Sequence, residues 1–193
     1  MAKGTVERIY SGALAAFSEL GYADASMELI AERAGVVKRT LYNHFATKEE
    51  LFKFVLQRGI NRLTALLKEA FAEGEMHEDK WTRVMRRHLE FFEENREFCR
   101  LLLQTIWGAN VPLQDVMREY FACLDREIRK DQEEGRIDRE LDVMTVSGAL
   151  FGLVSVPAVR AVLNGQAVTE PSRMRTITKI ALEGLGKYEA VAD

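Results

Sequence analysis

The sequence predicts an all-α protein, because three observations leave little room for a sheet. Strand-like alternation of apolar and polar residues is scarce, no proline precedes Pro112, and glycines recur at intervals that suit helix ends. About nine helices fit a chain of 193 residues, which is long enough for a small N-terminal domain and a second core. The predicted helix breaks lie near Gly21, Gly35, Gly74, Gly108, Gly135 and Gly165.

The first two helices are predicted from apolar faces at helical spacing. One runs from about Thr5 to Leu20, with Phe17 among its inward residues. The next is capped by the Ser26 hydroxyl and buries Ile30, Ala31 and Ala34. Gly35 then ends it, since a residue without a Cβ turns sharply at little steric cost. A third helix follows the turn at once.

That third helix is held by Leu41 and Phe45, which leaves its other face free. The free face carries donors suited to phosphates or to base edges in a major groove: Lys38, Arg39, Thr40, Asn43 and His44, with Tyr42 beside them. Residues 33–48 hold four Lys or Arg and no acid, although the first 50 residues hold six basic and seven acidic residues. Positive charge is therefore focused on a predicted helix-turn-helix.

This N-terminal segment resembles the tetracycline-repressor (TetR) family of bacterial transcription regulators. The resemblance covers roughly the first 55 residues and rests on Phe17, Gly21-Tyr22, Ile30-Ala31, Ala34-Gly35-Val36, Leu41-Tyr42, His44-Phe45 and Lys48-Glu49-Glu50-Leu51. It implies that Tyr42 and Lys48 contact backbone phosphates, and that Lys38, Thr40 and Asn43 face the DNA. The predicted DNA-binding set is Ser26, Lys38, Arg39, Thr40, Tyr42, Asn43, His44 and Lys48, in a domain of residues 1–50.

Two positions in this motif depart from the family pattern. Val37 stands where Ser or Thr usually caps the recognition helix, so a phosphate oxygen or water must satisfy that helix start. Arg39 is larger than the usual small residue, and it reaches either a guanine edge or a phosphate. The departures concern the cap and the base contacts, whereas the predicted fold is unaffected.

Residues 51–193 are predicted to form a helical ligand-binding and dimerisation domain. Its first helix runs from about Lys48 to Glu73, joins the two domains and is expected to bend at Gly59. The later helices are predicted at about His77–Trp107, Pro112–Glu134, Leu141–Leu163 and Glu170–Leu185.

A ligand pocket is predicted on the helix from His77 to Trp107. Apolar residues recur there at alternating steps of three and four, with a few polar groups among them, which is the composition of a pocket for a mostly apolar guest. The predicted pocket residues are Trp81, Met85, His88, Phe92, Asn95 and Cys99, faced by Met117, Tyr120 and Phe121. The ligand is expected to be apolar or aromatic, although Arg86, Arg87 and Arg100 could meet a carboxylate. The alternative is that these residues form only core.

The uncharged stretch of residues 143–159 raises the question of a membrane span. It is shorter than the roughly 20 residues required and contains Pro157, so we predict a buried helix and no membrane association. Paired with the last helix of each subunit, it predicts a four-helix bundle across a two-fold axis, as the resemblance implies. The predicted interface is Gly148, Phe151, Gly152, Ile177, Ala181 and Leu185, and the alternative is a monomer.

Several function classes are disfavoured by composition. His44, His77 and His88 lie far apart without metal-ligand or catalytic spacing, so we expect no enzyme, metal or cofactor. A net charge of −3 argues against a general nucleic-acid coating protein. A redox sensor using Cys99 and Cys123, and a helix-turn-helix that binds protein only, remain as alternatives. The N-terminus lacks the apolar core of a signal peptide, which predicts a cytoplasmic protein.

The sequence therefore predicts a homodimeric transcriptional regulator, most simply a repressor released from a palindromic operator by a small ligand. Its partners would be operator double-stranded DNA, a second copy of the chain and a small-molecule effector. The operator sequence, the regulated genes, the identity of the effector and the choice between repressor and activator stay open.

Overall fold

A computed structural model of the chain describes residues 2–73, 79–108 and 113–185. Across these ranges the chain forms nine helices and no strand, which confirms the predicted all-α fold. The helices are α1 Ala2–Asp24, α2 Met27–Arg33, α3 Lys38–His44, α4 Lys48–Ala72, α5 Lys80–Glu94, α6 Arg96–Gly108, α7 Leu113–Glu133, α8 Val143–Leu163 and α9 Pro171–Leu185. The predicted break at Gly74 lies outside the described residues.

The helices group into two compact units. The first consists of Met1–Arg62 and Asn95–Met117, and the second of Leu63–Glu94 and Arg118–Asp193. In the first unit, α6 packs against α1, and α2 packs against α1 and α3. In the second unit, α5 packs against α8 and α9. Because α6 belongs with α1, the compact units differ from the predicted division into residues 1–50 and 51–193, which stays a prediction about function.

Glycines act in two ways in the first unit. Gly21 kinks α1 with a φ of 78°, and Gly35 ends the turn after α2 with a φ of 60°, as the predicted breaks require. Gly59, by contrast, lies inside α4 and does not interrupt it, so α4 is one helix from Lys48 to Ala72. A Cβ at Gly59 would lie 2.0 Å from Cε2 of Phe98. The glycine is therefore required for close packing of α6 on α4.

The helix predicted from His77 to Trp107 is in fact two helices, and this corrects the sequence prediction. Asn95 separates α5 from α6, and its carbonyl accepts the backbone N–H of Cys99 at 2.9 Å, which opens the first turn of α6. Asparagine is a weak helix former and a favoured residue at helix starts, because its side chain competes for backbone groups. His77 itself lies outside the described residues.

Helix α8 is the one described helix that is long and apolar enough to cross a membrane by length and composition. More than half of its most apolar stretch is buried inside the protein, including Val154, Ala158 and Val162. Asp142 caps its start by accepting the backbone N–H of Thr145 at 2.8 Å, and the helix continues through Pro157. The burial agrees with the prediction of a core helix.

A buried carboxylate in the second unit, absent from the sequence prediction, joins α5 to α7. Asp131 Oδ2 accepts the indole N–H of Trp81 at 2.6 Å, and Oδ1 accepts Lys80 Nζ at 2.7 Å and Arg136 Nε at 3.0 Å. The side chain is 1% exposed. Burial alone would raise the pKa of Asp131, but these hydrogen bonds outweigh burial and hold it below its usual value.

Candidate nucleic-acid interface and ligand-binding core

The helix-turn-helix is built from short-range hydrogen bonds and from side-chain contacts with α1. Ser26 accepts the backbone N–H of Leu29 at 3.1 Å, so its hydroxyl is occupied as the cap of α2. Arg8 donates from Nη1 to the Gly35 carbonyl at 3.1 Å, which ties the turn to α1. Two side chains satisfy backbone donors at the start of α4: Thr47 Oγ1 accepts the Glu50 N–H at 3.1 Å, and Glu50 accepts the Ala46 N–H at 2.8 Å.

The outward face of α3 carries the predicted DNA-contacting residues. Leu41 is fully buried and Phe45 nearly so, which fixes the rotation of the helix about its axis. The opposite face is exposed at Lys38, Arg39, Tyr42, Asn43 and His44, and half-buried at Thr40. No side-chain cap satisfies the start at Val37, which is 69% exposed. The face therefore presents donors and one aromatic ring to solvent.

The two lysines of the predicted DNA-binding set, Lys38 and Lys48, already have partners within the subunit. Lys38 forms an ion pair with Glu28, which raises the pKa of the lysine, and its Nζ lies 5.7 Å from the centroid of the Tyr42 ring. Lys48 Nζ donates to the Ala23 carbonyl at 3.0 Å and lies 4.7 Å from the Tyr22 ring centroid. Lys48 thus stabilises the end of α1 through one of its ammonium protons. The other protons of the ammonium group can donate to a phosphate.

The nine predicted pocket residues are divided between the two compact units. Asn95, Cys99 and Met117 belong to the first unit. The other six belong to the second unit, namely Trp81, Met85, His88, Phe92, Tyr120 and Phe121. Within the second unit, Trp81 is held by Asp131 and packs edge-on against Phe71 at 5.5 Å between ring centroids.

His88 is the centre of an aromatic cluster in the second unit. Its ring centroid lies 5.0 Å from that of Phe92, 5.8 Å from Tyr120 and 6.2 Å from Phe151. Phe121 extends the cluster through contacts with Tyr120 and Phe151. Burial lowers the pKa of His88 to about 3, so the imidazole is neutral at physiological pH. Phe151, which the sequence predicts at a dimer interface, packs in this cluster within the subunit.

Both cysteines are buried as free thiols. Burial raises the pKa of Cys99 to about 12, against a smaller opposing effect of Arg96, and burial also raises the pKa of Cys123. Since the thiolate is the reactive form, neither sulfur is poised for rapid oxidation. These surroundings argue against the redox-sensor alternative.

Helices α8 and α9 carry both buried and exposed apolar residues. Ile177 and Ala181, predicted at the dimer interface, are buried inside the subunit, and the side chain of Leu185 lies outside the described residues. A Cβ at Gly148 or Gly152 would meet no atom within 4 Å. The exposed face carries large apolar residues that the sequence prediction missed, namely Met144, Val156, Leu163, Ile180 and Leu182.

Both the helix-turn-helix and the helical domain that follows it match known protein families. Residues 9–55 match the family described as bacterial regulatory proteins, tetR family, and residues 56–169 match the C-terminal region of YsiA-like proteins. The chain belongs to the TetR family of transcriptional regulators. The resemblance stated from the N-terminal motif is thereby confirmed and extends over the C-terminal domain.

One curated relative and two solved structures match nearly the whole length of the chain. The fatty acid metabolism regulator protein of Bacillus subtilis (strain 168) is 20% identical over 92% of this chain and 94% of its own. The fatty acid degradation regulator FadR from Bacillus halodurans superposes with a TM-score of 0.82 at 22% identity, covering 93% and 99%. FadR from Bacillus subtilis, crystallised with stearoyl-CoA, superposes with a TM-score of 0.81 at 19% identity, and the match covers 93% of this chain and 98% of the other. At these identities the solved structures establish the fold.

Proposed function

We propose that this protein is a cytoplasmic, homodimeric repressor that is released from a palindromic operator by a fatty acyl-CoA. The DNA-binding part is carried by the exposed basic face of α3, where Leu41 is fully buried and Arg39, Tyr42 and Asn43 point outward. A face of donors on a rigid helix matches the width and hydrogen-bonding pattern of a major groove. We propose a repressor and not an activator because this is the simplest hypothesis, in which ligand binding and DNA binding oppose one another.

The homodimer is supported by the exposed apolar face of α8 and α9. Met144 is 76% exposed and Ile180 54%, and a groove of about 270 Å³ between the helices is lined by Leu141, Val146, Leu153 and other apolar side chains. Such surface on a water-soluble regulator favours contact with another protein. A second copy is the natural partner, because a two-fold dimer presents two α3 helices to the two halves of a palindrome.

The acyl-CoA assignment is supported by the nature of the second unit and by the relative crystallised with stearoyl-CoA. The cluster of Phe92, Phe121, Phe151 and Tyr120 around His88 is an apolar setting with a small polar component, which suits a long acyl chain. The proposal therefore narrows the apolar or aromatic ligand expected from the sequence to fatty acyl-CoA.

Stearoyl-CoA and operator DNA are expected to weaken the binding of one another by the same factor. Helix α4 begins at Lys48 in the first unit and ends at Ala72 in the second, so a ligand that shifts α4 would alter the spacing of two recognition helices that must lie about 34 Å apart. Linkage requires the two factors to be equal, typically about 5- to 150-fold. The operator is first obtained by selection from random DNA, and tryptophan fluorescence then gives the stearoyl-CoA affinity with and without operator. Binding of stearoyl-CoA that is indifferent to operator would contradict the proposal.

Substitutions on the DNA-facing surface are expected to divide into two kinds of effect. Lys48→Ala should weaken all DNA sequences alike and reduce the salt dependence by about one unit for each phosphate that a subunit no longer neutralises. Arg39→Ala should relax discrimination at one position per half-site by about 1 to 3 kcal/mol if the guanidinium reads a base. The measurement is binding to the selected operator and to single-base variants at several salt concentrations. Unchanged specificity in Arg39→Ala and in matching alanine variants of Lys38, Thr40 and Asn43 would refute the assignment of α3.

A further inference from the structure

His88 Nε2 and Ser155 Oγ are buried polar atoms of the second unit that have no hydrogen-bond partner among the residues that the structure describes. His88 is 3% exposed and Ser155 2%. Buried polar groups are nearly always paired, because leaving one unpaired costs the whole of its lost hydration. An unpaired polar atom in a protein core therefore points to a partner that binds there.

The two atoms belong to α5 and α8, two helices of the second unit that pack against each other. The His88 ring contacts the ring of Phe151, and Ser155 lies one helical turn beyond Phe151 on α8. Ser147, at the earlier end of α8, satisfies its hydroxyl by donating to the Met144 carbonyl at 3.1 Å. A buried serine on this helix can thus bond to its own backbone, whereas Ser155 leaves its hydroxyl unused.

The contact between Tyr120 and His88 indicates which kind of partner Nε2 would take. The Tyr120 hydroxyl lies 3.5 Å from His88 Nδ1, a long hydrogen bond. Because a phenol is a better donor than a neutral imidazole, we assign Tyr120 as the donor to Nδ1, an assignment that leaves the ring proton on Nε2. Nε2 is then a hydrogen-bond donor, and the hydroxyl of Ser155 can donate as well. Both unpaired atoms call for an acceptor.

We propose that His88 Nε2 and Ser155 Oγ form a subsite for the carbonyl oxygen of an acyl ligand. The subsite rests on the proposed function and deepens it, because it makes the thioester carbonyl, and not only the hydrocarbon chain, a recognised part of the effector. The aromatic rings of Phe92, Phe121 and Phe151, which pack around His88 and against one another, would provide the apolar surroundings for the chain next to this polar subsite. An alkyl ligand of equal length without the carbonyl is then discriminated against.

The test compares stearoyl-CoA with S-octadecyl-CoA, a thioether that has the same chain length and headgroup but lacks the carbonyl oxygen. The wild-type protein should bind stearoyl-CoA about tenfold or more tightly than the thioether, which corresponds to about 1.4 kcal/mol. His88→Phe should reduce this ratio to near one by weakening stearoyl-CoA binding while S-octadecyl-CoA binding is retained. Retained thioether binding also shows that the variant is folded.

Further variants keep the test decisive. His88→Gln retains a donor and should preserve part of the ratio, and Ser155→Ala should lower it several-fold even if His88→Phe fails to fold. A ratio near one in the wild-type protein, or a ratio that survives both His88→Phe and Ser155→Ala, would overturn the subsite while the acyl-CoA proposal stands. Failure of the wild-type protein to bind either compound would overturn the proposed ligand class itself.

Discussion

The substitution Gly152→Glu is expected to convert the proposed homodimer to monomers and to weaken operator binding by about 10²- to 10⁴-fold, the contribution of linking two half-site contacts. Gly152 is half-buried on α8, and an added Cβ there meets no atom within 4 Å, so a longer side chain fits the isolated subunit. In a dimer the same side chain would place an unpaired carboxylate in an apolar interface, which is strongly unfavourable. Sedimentation and operator titration measure the two effects.

A matched variant separates loss of assembly from a general effect of charge. Ala122→Glu adds the same carboxylate to a small, exposed position in the middle of α7, and it should leave both assembly and operator affinity unchanged. Gly152→Glu should also retain the helical circular dichroism of the wild-type subunit. Sedimentation of Gly152→Glu as an intact dimer would refute the proposed interface.

The substitution Asp131→Asn is expected to lower the free energy of unfolding at neutral pH by about 2 to 4 kcal/mol, the range for a buried charged group that loses its partners. Both carboxylate oxygens accept hydrogen bonds, Oδ2 from Trp81 and Oδ1 from Lys80 and Arg136. Whichever oxygen is replaced, the amide NH₂ group of asparagine then faces an N–H donor of Trp81 or of Lys80 and Arg136, and no hydrogen bond can form there. Urea unfolding measures the change, and the exposed carboxylate in Glu133→Gln on the same helix is the control.

The effect of Asp131→Asn should depend on pH in a defined direction. Because the pKa of Asp131 is lowered in the folded protein, its ionised form stabilises the fold above the unfolded-state pKa of about 3.9. This contribution is lost as pH falls through the lower, folded-state pKa. The difference in unfolding free energy between wild type and variant should therefore be largest near neutral pH and shrink below about pH 4. A difference that is independent of pH would show that the charge of Asp131 makes no contribution.

The helix-turn-helix could be predicted because the interactions that specify it are local. Ser26 caps α2 three residues ahead of its bonding partner, Gly35 supplies the positive φ of the turn, and Leu41 and Phe45 set the buried side of α3. Each of these features is readable from spacing alone. The hydrogen bonds that Thr47 and Glu50 make at the start of α4 have the same local character, although the sequence prediction does not include them.

The single helix predicted across Asn95 shows how periodicity alone can mislead. Apolar residues continue at steps of three and four through the break, so the pattern is the same for one helix or two. Gly59 shows the same difficulty from the other direction, since a glycine inside a helix indicates either a bend or a close neighbour. At Gly59 the close neighbour is the ring of Phe98, which is 39 residues away in sequence.

The sequence by itself determined the all-α class, the helix-turn-helix and the residues that α3 exposes, because hydrophobic spacing, caps and glycine turns act within a few residues. Only the tertiary structure decided that Phe151 joins the cluster around His88, that Ile177 and Ala181 are buried inside the subunit, and that Asp131 accepts hydrogen bonds from two other segments. The physical reason is that a helix with apolar residues nearly all round, such as α8, does not specify which side meets its own subunit. That choice depends on which neighbours are packed against it.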